Sequence, residues 1–502
     1  MRAGYDRGIT PASSFVRCSV SSALPANPLA PQWLAVPDDA NALEVGVWPA
    51  SATRDAAGQL TIGGLTAAAL AAQYGTPVQI IDEGEARDRA ARLRAAFDAA
   101  TAAHGTSARV YYAGKAFLST IVAGWMTEAG LNIDVCTGGE LAVALAAGVE
   151  PARIGFHGNN KSVAELERAV EVGVGTIIVD SNDEIDRLAA ITARRGATQR
   201  VLVRVNSGVH AETHDYLATA HEDQKFGFPL AAAEDVVARI RTIPGLEFAG
   251  LHCHIGSQIF GAAGFRESAR RVLALHARLL AGGEIPLLNL GGGFGIAYTA
   301  ADTPTPIEQL AADIVSAVAE ECVQRGIPIP ELAFEPGRSI IGTAGVTLYE
   351  IGTTKDVTAA AGEQTGVRRY VSVDGGMSDN ARPALYGAQY SARLASRAGA
   401  GDPVLVRVVG KHCESGDIVV DHEYLPSDLA PGDLLAVPAT GAYCAPLSSN
   451  YNHIARPAVV AVHEGASRVL VHAETLDDVL GRDAGIRPNE EVLALSERSE
   501  TK

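Results

Sequence analysis

The sequence predicts a (β/α)₈ barrel joined to a second, all-β domain of sandwich or barrel-like type. Between residues 85 and 335, eight short apolar runs alternate with alanine-rich helical stretches, the pattern of a parallel barrel. One after another these runs end in polar or glycine-rich positions, and the C-terminal strand ends of a barrel are where catalytic groups collect. From residue 345 the apolar runs crowd together between Gly, Pro and Asp turns, leaving no room for intervening helices.

Residues 1–35, rich in Pro, Ala and Ser, read as a mobile tail. No continuous apolar segment follows their arginines, so no signal peptide is expected. Residues 36–82 are assigned to the β domain, with the stretch near 43–80 expected to pair with it. The barrel is expected over 83–341 and opens on the amphipathic helix EARDRAARLRAAFDAATAAH (85–104). Its strands follow as RVYYAGK (109–115), NIDVC (132–136), RIGFH (153–157), TIIVD (176–180), RVLVRVN (200–206), LEFAGLHCH (246–254), IPLLNL (285–290) and ELAFE (331–335). Helices between them include GGELAVALAAG (138–148) and SVAELERAVEVG (162–173). The β domain, 342–495, begins with GVTLYEIGTTKDV (345–357) and continues through RRYVSVDGG, PVLVRVVGKHC, DIVVDHEYL and DLLAVPATGAY. Residues 496–502 read as a second mobile tail.

With 47% hydrophobic and 20% charged residues, the 502-residue chain can bury an ample core. A net charge of −17 argues against nucleic acid and acidic membrane surfaces as partners. Any anionic substrate must therefore be held by arginines placed locally. The cysteines, at 18, 136, 253, 322, 413 and 444, form no C-x-x-C pair, so neither zinc nor a disulfide framework is indicated. Reduced thiols and a cytoplasmic setting fit. No apolar run approaches the roughly 18 residues of a membrane helix.

Lys115, Asp134, His157, Asp180, Arg204, His254, Gly291 to Gly293 and Glu335 fall at or just past the strand ends. A lysine in a barrel mouth is expected to have its pKa lowered by desolvation, which frees the amine to form a Schiff base. The triplet Gly291, Gly292 and Gly293 follows the seventh strand, the usual phosphate site of a barrel, where backbone N–H groups can approach an anion closely. LAFEPGRSI ends the eighth strand with Glu335 and Arg338. Beside the pyridine nitrogen of pyridoxal phosphate, such a carboxylate would keep the nitrogen protonated and strengthen the ring as an electron sink. LHCHIGSQ adds His254, able to lie on that ring, and Ser257, able to bind phosphate. His252 and His254 alternate along one strand, but no third ligand of suitable spacing follows, so no metal is assigned.

These segments, with DVCTGGEL, FHGNNKS, THDYLATAHEDQKFGF, NLGGGFGI, DGGMSDNARPALYGAQY, CESGD and TGAY, resemble the diaminopimelate decarboxylases. That family consists of pyridoxal-phosphate enzymes of the alanine-racemase-like fold, related to eukaryotic ornithine decarboxylase. The likeness runs in order from about residue 40 to residue 495. It implies conversion of meso-2,6-diaminopimelate to L-lysine and CO₂, the last step of lysine biosynthesis, in a homodimer whose active sites are shared across the interface. Lys115 then forms the Schiff base with pyridoxal 5'-phosphate. His254, Ser257, Gly291 to Gly293, Glu335, Pro336, Gly337, Arg338 and Tyr443 match cofactor positions. Arg338, Arg382, Tyr386, Glu414 and Tyr443 match substrate positions. Cys413 matches the proton donor, brought by the other subunit.

Physical reasoning agrees with that match. The far end of diaminopimelate carries a carboxylate, suited to Arg338 and Arg382, and an ammonium, suited to Glu414. A thiol at Cys413 is a competent acid for the carbanion left by CO₂. One departure is Cys444 directly after Tyr443, where the family more often has another residue type. The rival readings are a decarboxylase of ornithine, lysine, arginine or carboxynorspermidine, a racemase of the same fold, and a non-catalytic regulatory homologue. Ornithine decarboxylase has aspartate where this chain has Glu414. A racemase would want a tyrosine base where this chain has Cys413. A non-catalytic homologue tends to lose the lysine, the cysteine or the phosphate ligands, all of which are present.

Overall fold

All five residues of β1 (Val78–Asp82) are buried, and the polar Gln79 among them is satisfied by donating its Nε2 to the Asp379 carbonyl at 3.1 Å. Its last residue caps α1 (Glu83–Ala102): the Asp82 side chain accepts from the Glu85 N–H. The computed structural model describes residues 27–209 and 225–486. After α1 the chain alternates strand and helix: β2 (Ala108–Ala113), α2 (Thr120–Glu128), β3 (Asn132–Val135), α3 (Gly138–Ala146), β4 (Ile154–Phe156), α4 (Val163–Val172), β5 (Thr176–Val179) and α5 (Asn182–Arg195). It continues through β6 (Gln199–Asn206), α6 (Ala233–Thr242), β7 (Leu246–His252), α7 (Ala263–Leu279), β8 (Leu287–Asn289), α8 (Ile307–Arg325) and β9 (Glu331–Phe334).

Strands β2 to β9 pair in sequence, every pair parallel, and β9 returns to β2, which closes the ring. Each strand read from the sequence is present within two residues at either end. Local chemistry sets these boundaries. On α4, Ser162 and Glu165 form a reciprocal cap at the start, and Gly173 takes up a left-handed φ of 78° at the end. Inside the ring, Tyr111, Ile178, Leu202, Ala249, Leu287 and Ala333 pack as a cluster of their own, one from each of six strands. The polar strand ends sit above this plug. Lys161 of the FHGNNKS segment is held apart from them: its buried ammonium donates to Glu184 at 2.6 Å and to the carbonyls of Gly158 and Ile178 at 2.8 Å.

The second domain is a sheet of β10 (Gly345–Ala361), β11 (Gln364–Val373), β12 (Pro403–Val409), β13 (Ile418–Pro426), β14 (Leu434–Pro438), β15 (Val459–His463) and β16 (Ala466–Val471), with a short helix, α9 (Arg382–Tyr386), between β11 and β12. β1 lies within it, antiparallel to β10 and parallel to β15, so the sheet runs straight into the first barrel helix. The assigned N-terminal tail differs in part. From Asn27 onward the chain is anchored on the β domain, with Asn27 Nδ2 donating to the Val367 carbonyl at 2.7 Å and Arg368 Nη2 to the Leu29 carbonyl at 3.2 Å. The rest of that tail, Cys18, most of THDYLATAHEDQKFGF and the C-terminal tail lie outside the described residues. Among the described residues, no helix is long and apolar enough to cross a membrane.

Candidate active site

β2 ends in a single 3₁₀ turn, Gly114–Ala116, that carries Lys115. The turn is tied to both domains. The Ala113 N–H donates to the Pro336 carbonyl at 3.0 Å, and the Tyr443 N–H donates to the Ala116 carbonyl at 2.8 Å. Gly337 is needed there because a Cβ would come within 3.0 Å of Ala113 and Ala116. Tyr443 holds a left-handed φ of 63°, a strained value for a non-glycine residue of the kind found at functional sites. Lys115, His254, Ser257, Gly293, Glu335, Gly337 and Arg338 from the barrel meet Arg382, Tyr386 and Tyr443 from the β domain around one cavity of about 960 Å³. A second cavity, of about 430 Å³ between Asn27–Pro28 and the β sheet, contains none of these groups.

The pKa expected for Lys115 needs correction. The protein packed around the amine does pull it down, but acidic neighbours, Asp134 first, outweigh that and hold it above its ordinary value. The amine is accessible inside the cavity and charged, so desolvation is not what frees it. Glu335 has the opposite bias. Burial opposes its charge, but His157 and His252 outweigh burial and keep the carboxyl well below its usual range. The Nε2 atoms of both imidazoles lie 3.2 Å from Oε1, and Asn289 Nδ2 donates to the same oxygen at 2.6 Å. Burial pushes both histidines down, His252 to about 4, so they act as neutral donors. Burial, and then the Glu335 carboxylate, push Asp134 well above the carboxylate range.

Two glycines of the triplet have a packing reason besides the anion site expected of them. The Gly291 N–H already donates to Asn289 Oδ1 at 2.8 Å, and the Gly292 N–H to His254 Nδ1 at 3.2 Å. A Cβ on either would strike backbone, at 2.5 Å from the Cys253 oxygen and 2.1 Å from the Glu335 oxygen respectively. Close strand packing therefore demands these glycines. Only Gly293 lines the cavity, and its N–H has no acceptor among the described residues. His252 and His254 also part company: His252 turns to Glu335, while His254 lines the cavity. The third group near His252 is His157, from another strand. The ligand atoms of His157, His252 and Glu335 lie within 4.8 Å of one another, and both imidazole Nε2 atoms are already engaged on the carboxylate.

Arg338 Nη2 donates to Ser257 Oγ at 2.9 Å, and its guanidinium lies 4.8 Å from the centre of the Tyr443 ring. Arg382, almost fully buried, donates to the Tyr390 hydroxyl. Neither arginine has a carboxylate within 4.0 Å among the described residues. Cys413 and Glu414 are not brought to this cavity. Both are exposed on the turn after β12, where the Cys413 N–H donates to Asn452 Oδ1 at 3.3 Å and the Gly416 N–H to Glu414 Oε1 at 3.3 Å. Cys444 is buried, its sulfur 3.6 Å from the Tyr390 hydroxyl.

Residues 90–342 match the family model for the pyridoxal-dependent decarboxylase, pyridoxal binding domain. The diaminopimelate decarboxylase of Mycobacterium tuberculosis is 52% identical over 446 residues, covering 87% of this chain and 98% of that one. The chain belongs to the diaminopimelate decarboxylase family. The Bacillus subtilis member is 44% identical over 430 residues, covering 85% of this chain and 95% of its own. A crystal structure of diaminopimelate decarboxylase from M. jannaschii in co-complex with L-lysine superposes with a TM-score of 0.79 at 29% identity, covering 88% of this chain and 98% of that one. Enzymes of this family are pyridoxal-phosphate-dependent decarboxylases, and the cavity suits that group. It offers an amine, a carboxylate kept ionised by three donors and an uncommitted N–H at Gly293.

Reading the sequence left Asn289, Tyr298 and Tyr390 unassigned and gave Asp134 and His157 no task. The strand-end positions of the acid and the imidazole were a usable signal. Asn289 and Tyr298 stood unread within NLGGGFGIAY.

Proposed function

We propose that the chain decarboxylates meso-2,6-diaminopimelate to L-lysine with pyridoxal 5'-phosphate bound at Lys115. One observation carries the choice of substrate: two cationic guanidiniums share the Lys115 cavity without a carboxylate of their own. Arg382 is almost fully buried and held only by tyrosines, so an anionic ligand group would balance its charge. Diaminopimelate brings one at its far end. Ornithine and lysine, as substrates, have no second carboxylate and would leave Arg382 unpaired.

When bound, the pyridoxal ring accepts the electron pair left by the departing CO₂. In this reading Lys115 holds the cofactor covalently and Glu335 keeps the ring nitrogen protonated. His254 would face the ring, while Ser257, the Gly293 N–H and Tyr443 would hold the phosphate. Pro336 and Gly337 keep the loop close to the lysine turn. Arg338 and Arg382 orient the distal carboxylate with Tyr386 at the mouth, and the exposed Glu414 takes the distal ammonium. Cys413 Sγ delivers the proton that replaces CO₂. Cys413 and Glu414 stand outside their own chain's cavity, which supports a homodimer in which each subunit completes the other's site. The five described cysteines are all unpaired thiols, in keeping with the cytoplasm.

The test is to supply the cofactor and compare meso-diaminopimelate, ornithine and lysine by released CO₂ and product amine. CO₂ and L-lysine from diaminopimelate alone is the expected result. Faster turnover of either single-carboxylate substrate would defeat the reading.

A further inference from the structure

Arg338 and Arg382 come from different domains, one from the turn after β9 and the other from the start of α9, yet one side chain touches both. Arg338 Nη1 donates to the phenol oxygen of Tyr298. The Arg382 guanidinium lies 4.6 Å from the centre of the Tyr298 ring, over its π-face. Tyr298 itself is pinned from both sides. Its N–H donates to Asp302 Oδ2 at 2.9 Å, within the barrel loop. Its carbonyl accepts from Ser391 Oγ at 3.2 Å, in the β domain. The ring meets Tyr390 edge-on with centroids 5.1 Å apart, and the Tyr390 hydroxyl accepts from Arg382. Tyr298 is only 5% exposed and lines the Lys115 cavity.

We infer that Tyr298 is a specificity-determining residue, the spacer that fixes the separation of Arg338 and Arg382 and thereby selects ligands carrying a distal carboxylate. The inference rests on the reading of the two arginines given above and adds what sets their distance. The chemistry of the spacer is suited to the task. A phenol accepts one hydrogen bond and offers a π-face, so it holds two cations without neutralising either. A carboxylate in the same place would pair with the arginines and close the anion site.

Two ligands that differ only in the distal carboxylate test it: L-lysine, the reaction product, and 1,5-diaminopentane. Their inhibition constants against meso-diaminopimelate are measured on the holoenzyme, with binding also followed through the cofactor's visible absorbance. Tyr298→Phe keeps the ring and removes the phenol, and should raise both the KM for diaminopimelate and the inhibition constant of L-lysine roughly 2- to 10-fold. The kcat should fall by less than the KM rises, and 1,5-diaminopentane should weaken by less than about 2-fold, within the scatter of a single neutral contact. Tyr298→Leu, which also removes the π-face, should weaken L-lysine on the order of tenfold or more. Equal losses for the two ligands, or unchanged L-lysine binding in Tyr298→Phe, overturn the inference. If the leucine variant does not fold, the phenylalanine variant decides. A wild-type holoenzyme that binds L-lysine no more tightly than 1,5-diaminopentane would sink the reading of the arginines and this inference with it. Selective binding in the wild type without selective loss in the variants sinks the tyrosine alone.

Discussion

The barrel mouth and the Cys413 turn are built in opposite ways. At the mouth, ionisable groups crowd into a partly enclosed space, and their protonation is governed by burial and by one another: Glu335 is held down, and Asp134 and Lys115 are held up. The turn is open to solvent, yet its backbone is firmly braced. The His412 N–H and the Met377 N–H each donate to Asp417, at 2.8 and 2.6 Å, and Asn452 Oδ1 takes up the Cys413 N–H. An ordered thiol and carboxylate standing away from their own chain's cavity are what the proposed dimer would put to use. The crowded ionisable groups and the exposed thiol thus lie on separate surfaces of one chain. The proposed dimer is what would bring them together.

Removing the tuned half should have the largest effect. Lys115→Ala should abolish both turnover and the visible absorbance of bound cofactor; an unchanged spectrum would refute the covalent assignment. On the delivered half, Cys413→Ala should retain the spectrum and lower kcat by roughly 10²–10⁴-fold, the range for a positioned acid. Mixing the Lys115 and Cys413 variants should restore activity in subunit-exchange conditions. No recovery would argue that each chain uses its own cysteine.

Acid should strike the barrel side first. Burial alone pushes His276, on α7, down to about 4, against about 6.5 for a free histidine. Because the folded pKa is the lower one, the unfolded chain takes the proton first. The stability is complete above about pH 6.5 and is lost progressively down to about pH 4. His276→Leu should flatten that slope by about 2.4 kcal/mol between pH 7 and 4.5, read by chemical denaturation of the apoprotein. Arg382→Ala should weaken L-lysine by about 1.5–3 kcal/mol for each charge-assisted bond lost, and leave 1,5-diaminopentane nearly untouched. Smallest is Asn452→Ala, which frees the Cys413 N–H. It should lower kcat by about 1 kcal/mol in barrier terms without changing cofactor affinity. A change in cofactor affinity instead would mean that the turn and the mouth are not separable.

Much of this architecture is legible locally. Lys115, His254 and Glu335 announce themselves because each is a polar residue directly after an apolar strand, and in a parallel barrel all such ends share one rim. Asn289 and Tyr298 are not legible in that way, since their partners, Glu335 and Arg382, lie in distant segments. Gly291 and Gly292 stand out in the sequence, and packing gives them a reason the sequence does not show. A sequence shows that a Cβ is missing, and only packed neighbours show which backbone occupies its place. The pKa of Lys115 was misjudged on the same ground: burial can be anticipated from a strand, whereas the sign of the net shift depends on which carboxylates arrive from other strands.

The order of strands and helices, their boundaries and the ring of polar strand ends were determined by the sequence alone, because hydrophobic period, caps and turn residues act over a few positions. Tertiary structure decided that β1 joins the distant β10 and β15, that Glu335 stays ionised, that two arginines share one tyrosine, and that Cys413 stands outside its own cavity. Those outcomes come from groups hundreds of residues apart meeting in a low-dielectric interior, where charge and hydrogen bonding depend on proximity that no local pattern encodes.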